Sequence, residues 1–217
     1  MADIFQEVDD EVRREQLQKL WERYQNYIIA AAVLIVLGVG AWRGYDWWQN
    51  KKAAEAGSAF EQAITLSEQG KHSEAEAAFS RLAADSTASY RALAQVRAAA
   101  ELAQTDGKAA IAAYDKIAAD TSIPPALRDL ASLRGGTLAI DHGSIADARQ
   151  RLEPLTASDH TFHHTARELA AVAAWRAGDA AAARRWIEMI NADPETPADA
   201  RGRAQMLDAL MASGGNS

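Results

Sequence analysis

Four stretches of this chain repeat one grammar, and an internal repeat constrains a fold more than any single residue does. Each opens on a turn: Gly70-Lys71-His72-Ser73, Asp106-Gly107-Lys108, Gly143-Ser144 and Gly178-Asp179. An alanine follows each turn, and the four (Ala75, Ala110, Ala148 and Ala183) stand 35, 38 and 35 residues apart. Four positions later comes a bulky side chain (Phe79, Tyr114, Leu152, Ile187), and three after that another (Leu82, Ile117, Leu155, Ile190). Positions i, i+4 and i+7 share one helical face. Each segment therefore predicts a helix that crosses its predecessor at the small alanine and buries two large residues against a neighbouring unit.

A further helical stretch precedes every turn, over residues 53–69, 89–104, 125–141 and 165–177. Pro124-Pro125 suits a loop and a first helical turn, and Pro194 and Pro197 punctuate the last repeat. A closing helix over 198–211 is expected to place Met206, Leu207, Leu210 and Met211 on one side and cap the stack. Alanine, close to a quarter of the chain, has the best helix propensity and permits close helix packing. The fold class is all-α. With no cysteine there is no disulfide, thiolate metal site or thiol nucleophile. The formal charge of −7 argues against general nucleic-acid binding, which needs a basic stripe.

The N-terminal part reads differently. From Tyr27 to Trp42 the sequence is YIIAAAVLIVLGVGAW, and nineteen residues separate Arg23 from Arg43. As a helix that is about 28 Å, close to the hydrocarbon thickness of a bilayer. Trp21 and Tyr24 stand before it and Trp42, Trp47 and Trp48 after it, as at two membrane interfaces, with Arg43 able to snorkel outward. A buried core helix would not gather aromatic residues at both ends. A cleavable leader ending near Val39-Gly40-Ala41 would carry seven acidic and four basic residues ahead of its apolar core, the wrong charge for a signal peptide. A single uncleaved span is the expectation. Arg13, Arg14, Lys19 and Arg23 against Arg43, Lys51 and Lys52 give a small excess favouring a cytoplasmic N-terminus. Phe5, Val8, Val12, Leu20 and Tyr24 fall near one face of an entering amphipathic helix. The organisation expected is an amphipathic segment (1–25), a transmembrane helix (26–48), a helical repeat domain (49–212) and a disordered tail (213–217).

A unit of about 34 residues with small crossing residues and an aromatic at +4, best seen around Gly70, Ala75 and Phe79, resembles the tetratricopeptide repeat. That resemblance implies a right-handed superhelix of about four degenerate hairpins with a C-terminal capping helix. The whole layout, with its acidic N-terminus, one span, the exit Gly44-Tyr45-Asp46-Trp47-Trp48 and the repeats, is similar to the bacterial YfgM-type family. The likeness implies an inner-membrane protein with a periplasmic repeat domain, an ancillary subunit of the SecYEG translocon that associates with a PpiD-type periplasmic chaperone.

Chemistry is sparse. His160 and His164, four apart beside Asp159 and His163, are the one arrangement that a metal could use if they shared a helical face. A third ligand and a general base are not evident, so neither a metal nor a cofactor is expected, nor a small-molecule substrate, and the chain is not expected to be an enzyme. A zinc hydrolase at this cluster and a scaffold of another envelope or cell-division complex are the competing readings. A tetratricopeptide alignment puts Phe60, Ile64, Gln95, Leu102, Leu133, Ile140, Glu168, Val172, Trp175 and Arg176 on a concave face suited to an extended peptide or partner helix. Each of these residues is equally a candidate for the packing between repeats.

Overall fold

In a computed structural model of the chain, residues 3–86 and 88–214 are described, with side chains from residue 21 onward except at 22, 28, 88, 89 and 214. The expected amphipathic face between Phe5 and Leu20, and the tail beyond residue 214, lie outside what is described. The helices are α1 (Asp3–Glu68), α2 (His72–Asp85), α3 (Ala88–Leu102), α4 (Gly107–Ala119), α5 (Pro125–His142), α6 (Ile145–Leu152), α7 (His163–Arg176), α8 (Ala180–Ala192) and α9 (Ala198–Gly214). No strand occurs among the described residues. The chain divides into two compact units, residues 1–54 and 55–217.

The first unit is helical from Asp3 onward, with no proline or helix-ending glycine signal to interrupt it. Its central side chains, Ile29 and the run from Val33 to Leu37 with Val39, are exposed. The stretch is long and apolar enough to cross a membrane. Beyond it the polar and aromatic groups pair along the helix at i, i+4. Gln49 Nε2 donates to Tyr45 Oη at 2.7 Å, and the Lys52 ammonium sits 4.1 Å from the Trp48 ring centroid.

In the second unit the repeat grammar becomes packing. Ala75, Ala110, Ala148 and Ala183 are all completely buried, and all eight bulky residues that follow them at +4 and +7 are buried as well. Gly70 (φ 74°) and Gly178 (φ 76°) adopt the left-handed conformation that a side chain disfavours. In each turn the residue after the glycine donates its N–H five residues back, Lys71 to Leu66 and Asp179 to Ala174, which ends the helix with its carbonyls satisfied. Asp106, Ser144 and Asp179 then cap the next helix by accepting from the N–H groups of Ala109, Asp147 and Ala182. Each such cap contributes about 1 kcal/mol.

The core is a succession of clusters, each joining neighbouring helices. Ala63, Ala75, Phe79 and Ala98 link α1, α2 and α3. Ala92, Tyr114, Ile117 and Ala131 link α3, α4 and α5. Leu133, Ala148, Leu152 and Ala173 link α5, α6 and α7. Ala171, Ile187, Ile190 and Leu207 link α7, α8 and α9. Polar links follow the same period. Arg151 grips Asp115 with two hydrogen bonds of 2.8 and 2.7 Å, 36 residues apart, and Arg203 grips Glu168 at 2.6 and 2.9 Å, 35 apart. Contacts between adjacent units at a near-constant sequence interval are the signature of a solenoid.

Two local expectations change. The third hairpin's second helix stops at Leu152, because Pro154 cannot donate into a continuing helix, and residues Glu153–Thr156 tighten into a 3₁₀ turn that still buries Leu155. On α9 the four apolar residues do not share one side: Leu207 and Met211 are buried, whereas Met206 and Leu210 are exposed.

Candidate binding surfaces

The ten residues expected to line one concave face fall in several places. Phe60 and Ile64 pack half-buried in the first core layer, the Phe60 ring 5.2 Å from that of Phe79 in an edge-on arrangement. Leu133, 7% exposed, belongs to the core, and Ile140 packs against the same cluster. Gln95 and Leu102 line a depression of about 590 Å³ bounded by α2, α3 and α4, where the buried Gln95 Oε1 has no partner among the described residues. Glu168 and Val172 border a smaller depression of about 240 Å³ against α9, shared with Met206 and Leu210. Trp175 is 41% exposed, and Arg176 pairs with Asp141 of the preceding unit.

A groove that these residues do not mark runs between α3 and α5, with a volume of about 480 Å³. Leu93 and Arg97 border it from α3, Leu130 and Arg134 from α5, and Tyr114 reaches it from α4.

The histidines resolve into two arrangements. His160 precedes α7 and its Nδ1 lies 2.9 Å from Asp129 Oδ2, so it does not share a helical face with His164. The helix starts at His163 behind Phe162, which gives it no side-chain cap. His163, His164 and Asp193 bring one ligand atom each within 4.8 Å of one another. His163 Nδ1 lies 2.7 Å from the His160 carbonyl oxygen and donates to it, which leaves Nε2 facing Asp193 at 3.8 Å. Asp193 Oδ2, however, already accepts from the buried Arg167 Nη1 at 2.7 Å, and Oδ1 accepts from the Glu195 N–H at 3.0 Å. The Arg167 guanidinium already pairs with this carboxylate, and its hydrogen bond holds the Asp193 carboxyl below the usual carboxylate range. Burial and the neighbouring His163 hold the His164 imidazole below its ordinary value. The group is a histidine cluster built around one Arg–Asp pair.

The surfaces thus consist of helical hairpins, shallow apolar depressions and exposed anchors such as Trp175, which suit protein–protein contact. The tetratricopeptide repeat-like domain family matches residues 18–195, a span that takes in the apolar segment as well as α2 through α8. No curated protein and no solved structure matches the chain. Since that match extends over most of its length, the chain belongs to the tetratricopeptide repeat-like domain family.

Proposed function

We propose that this scaffold is anchored in the bacterial inner membrane by a single span over residues 26–48, with its N-terminus in the cytoplasm and its repeats in the periplasm. There it acts as an ancillary subunit of the SecYEG translocon, binding a PpiD-type chaperone or emerging secreted chains without chemistry of its own. The observation that carries the anchor is the exposed apolar run from Ile29 to Val39, bracketed by Trp21 and Tyr24 on one side and Trp42, Trp47 and Trp48 on the other. Soluble monomers rarely leave so long an apolar surface in water, and a bilayer removes the cost. The likeness of the whole layout to the YfgM-type family supports the translocon. An anchor also raises the local concentration of whatever the repeats bind, so a groove of modest affinity suffices.

The test is fractionation followed by co-purification. The wild-type chain stays with membranes through alkaline carbonate, and Ile35→Arg with Val36→Arg, which together add about 5–7 kcal/mol to the cost of insertion, releases it. From mild detergent the tagged chain brings down the translocon and the chaperone. Recovery of a division or other envelope complex in their place would contradict the partner reading. A wild-type chain that washes off in carbonate would contradict the anchor.

A further inference from the structure

The stretch where α1 leaves its apolar run has a charge pattern of its own. Residues 43–54 carry three cations, Arg43, Lys51 and Lys52, against one acid, Asp46, in a chain whose formal charge is −7. All three cations are exposed, and none has an ion-pair partner among the described residues. The acids nearby do not answer them. Asp46 Oδ2 accepts from Asn50 Nδ2 at 3.2 Å, and the exposed Glu55, about one turn beyond both lysines, pairs with neither.

The lysines turn instead onto tryptophans. Lys51 Nζ lies 5.7 Å from the Trp47 ring centroid, and Lys52 Nζ lies 4.1 Å from that of Trp48. Both rings are themselves exposed. Side chains on a helix lean toward its N-terminus, so each ammonium is carried back to the level of the residue four before it, about 6 Å along α1. That direction leads toward the apolar run. A lysine at this end of a span that sought only water would extend the opposite way.

At 3.6 residues per turn, Trp47, Lys51, Trp48 and Lys52 share an arc of about 140° on α1, and Asp46 falls outside it. Gly44 stands at the centre of the arc one turn below, with nothing within 4 Å of the place a Cβ would take. The ammonium and indole N–H groups of the arc are all donors, and no acceptor lies among them. A partner that fits carries negative charge and no cation of its own. The arc also stands at the depth of the tryptophans, just past the exposed apolar residues, where lipid headgroups begin.

We propose that Lys51 and Lys52, held against Trp47 and Trp48, form a site for the headgroup of an anionic glycerophospholipid. Its phosphate lies between the two ammonium groups, and its acyl chains run down α1 past Gly44 toward Leu37. This rests on the anchor reading and adds to it the lipid that the span selects.

Because the chain has no cysteine, one thiol at Leu37, which is 63% exposed and falls on the same arc, reports the lipid beside it. The full chain with Leu37→Cys, carrying a nitrobenzoxadiazole dye, is reconstituted into phosphatidylcholine vesicles. These contain a small fraction of nitroxide-labelled phosphatidylglycerol or, in a parallel sample, of phosphatidylcholine labelled at the same acyl position. Quenching by labelled phosphatidylglycerol is about threefold stronger, because each lysine near an anionic headgroup adds to the attraction. Lys51→Gln with Lys52→Gln removes the difference. Trp47→Leu with Trp48→Leu keeps both charges and the apolar bulk but frees the lysines, and it lowers the difference by about half. Arg23→Gln, at the other end of the run, leaves it intact. Equal quenching by the two lipids, or a preference that survives the double lysine substitution, would overturn the proposal. So would a preference untouched in the tryptophan variant, which would make the attraction one of unplaced charge. Dye self-quenching that rises with protein density would put a second copy on this face and overturn it as well. A chain that does not float with the vesicles would contradict the anchor and the site together, whereas equal quenching in a chain that floats contradicts the site alone.

Discussion

At the scale of single residues, the tightest constraint is where backbone meets side chain. A methyl group at Gly136 would lie 2.7 Å from both Leu152 Cγ and Cδ2, and Leu152 is itself fully buried. Gly202, inside α9, has nothing within 4 Å of the same position. Gly136→Ala should therefore lower the unfolding free energy by about 1–3 kcal/mol through overpacking, whereas Gly202→Ala should raise it by about 0.5–1 kcal/mol through helix propensity. Urea melts of both variants check the pair, and equal effects at the two sites would contradict the packing described. A second residue-scale outcome concerns acid. His164 has its imidazole held below the ordinary value of 6.5, by burial first and by His163 next, with Arg167 acting in the same direction and Asp193 and Glu195 opposing. The unfolded chain thus takes up the proton first, and the folded state loses stability as pH falls through 6.5. His164→Gln should flatten the stability profile between pH 7 and 5. The limb belonging to Asp193, whose carboxyl is held below 3.8 by Arg167, should persist at lower pH. An unchanged slope between pH 7 and 5 would remove the histidine from the account.

At the scale of elements, the helices and their turns were legible because the signals are local. The buried alanines, the +4 and +7 residues and the glycines with positive φ are all read from spacing and turn chemistry within a few residues. What was not legible is which face of each first helix stays open, since that depends on how successive hairpins stack. Leu133, a candidate for the concave face by its spacing, is core, while Leu93 and Arg97, outside that alignment, border a groove. A signal existed. Leu93-Ala94-Gln95-Val96-Arg97 recurs as Leu130-Ala131-Ser132-Leu133-Arg134, and in the next unit as Leu169-Ala170-Ala171-Val172-Ala173. The second position is buried in all three, and the fifth is an exposed arginine in two and a buried alanine in the last. The histidine pair expected on one helical face was lost for a related reason: the helix begins at His163, and His160 turns to Asp129 of the preceding unit. Trp175, exposed near the end of α7, gives the test at this scale. Trp175→Ala should leave helicity and the unfolding midpoint nearly unchanged while weakening partner capture at least severalfold; a collapse of the fold would make it a packing residue.

At the scale of the whole molecule, the repeat domain is a one-dimensional stack in which each layer is completed by its neighbour, and α9 closes the last layer through Ala204, Leu207 and Met211. The family match covers the apolar segment and the stack as far as α8, so scaffold and segment occur in one chain. The central claim is that the segment anchors the scaffold with its repeats facing outward. Because the chain has no cysteine, a single thiol can be placed at will. Ala2→Cys and Ser213→Cys, made separately, are treated in intact cells with a membrane-impermeant maleimide after the outer membrane has been permeabilised. The account predicts labelling at residue 213 alone, on protein that sediments with membranes. Labelling at residue 2 alone, or labelled protein in the soluble fraction, would contradict it.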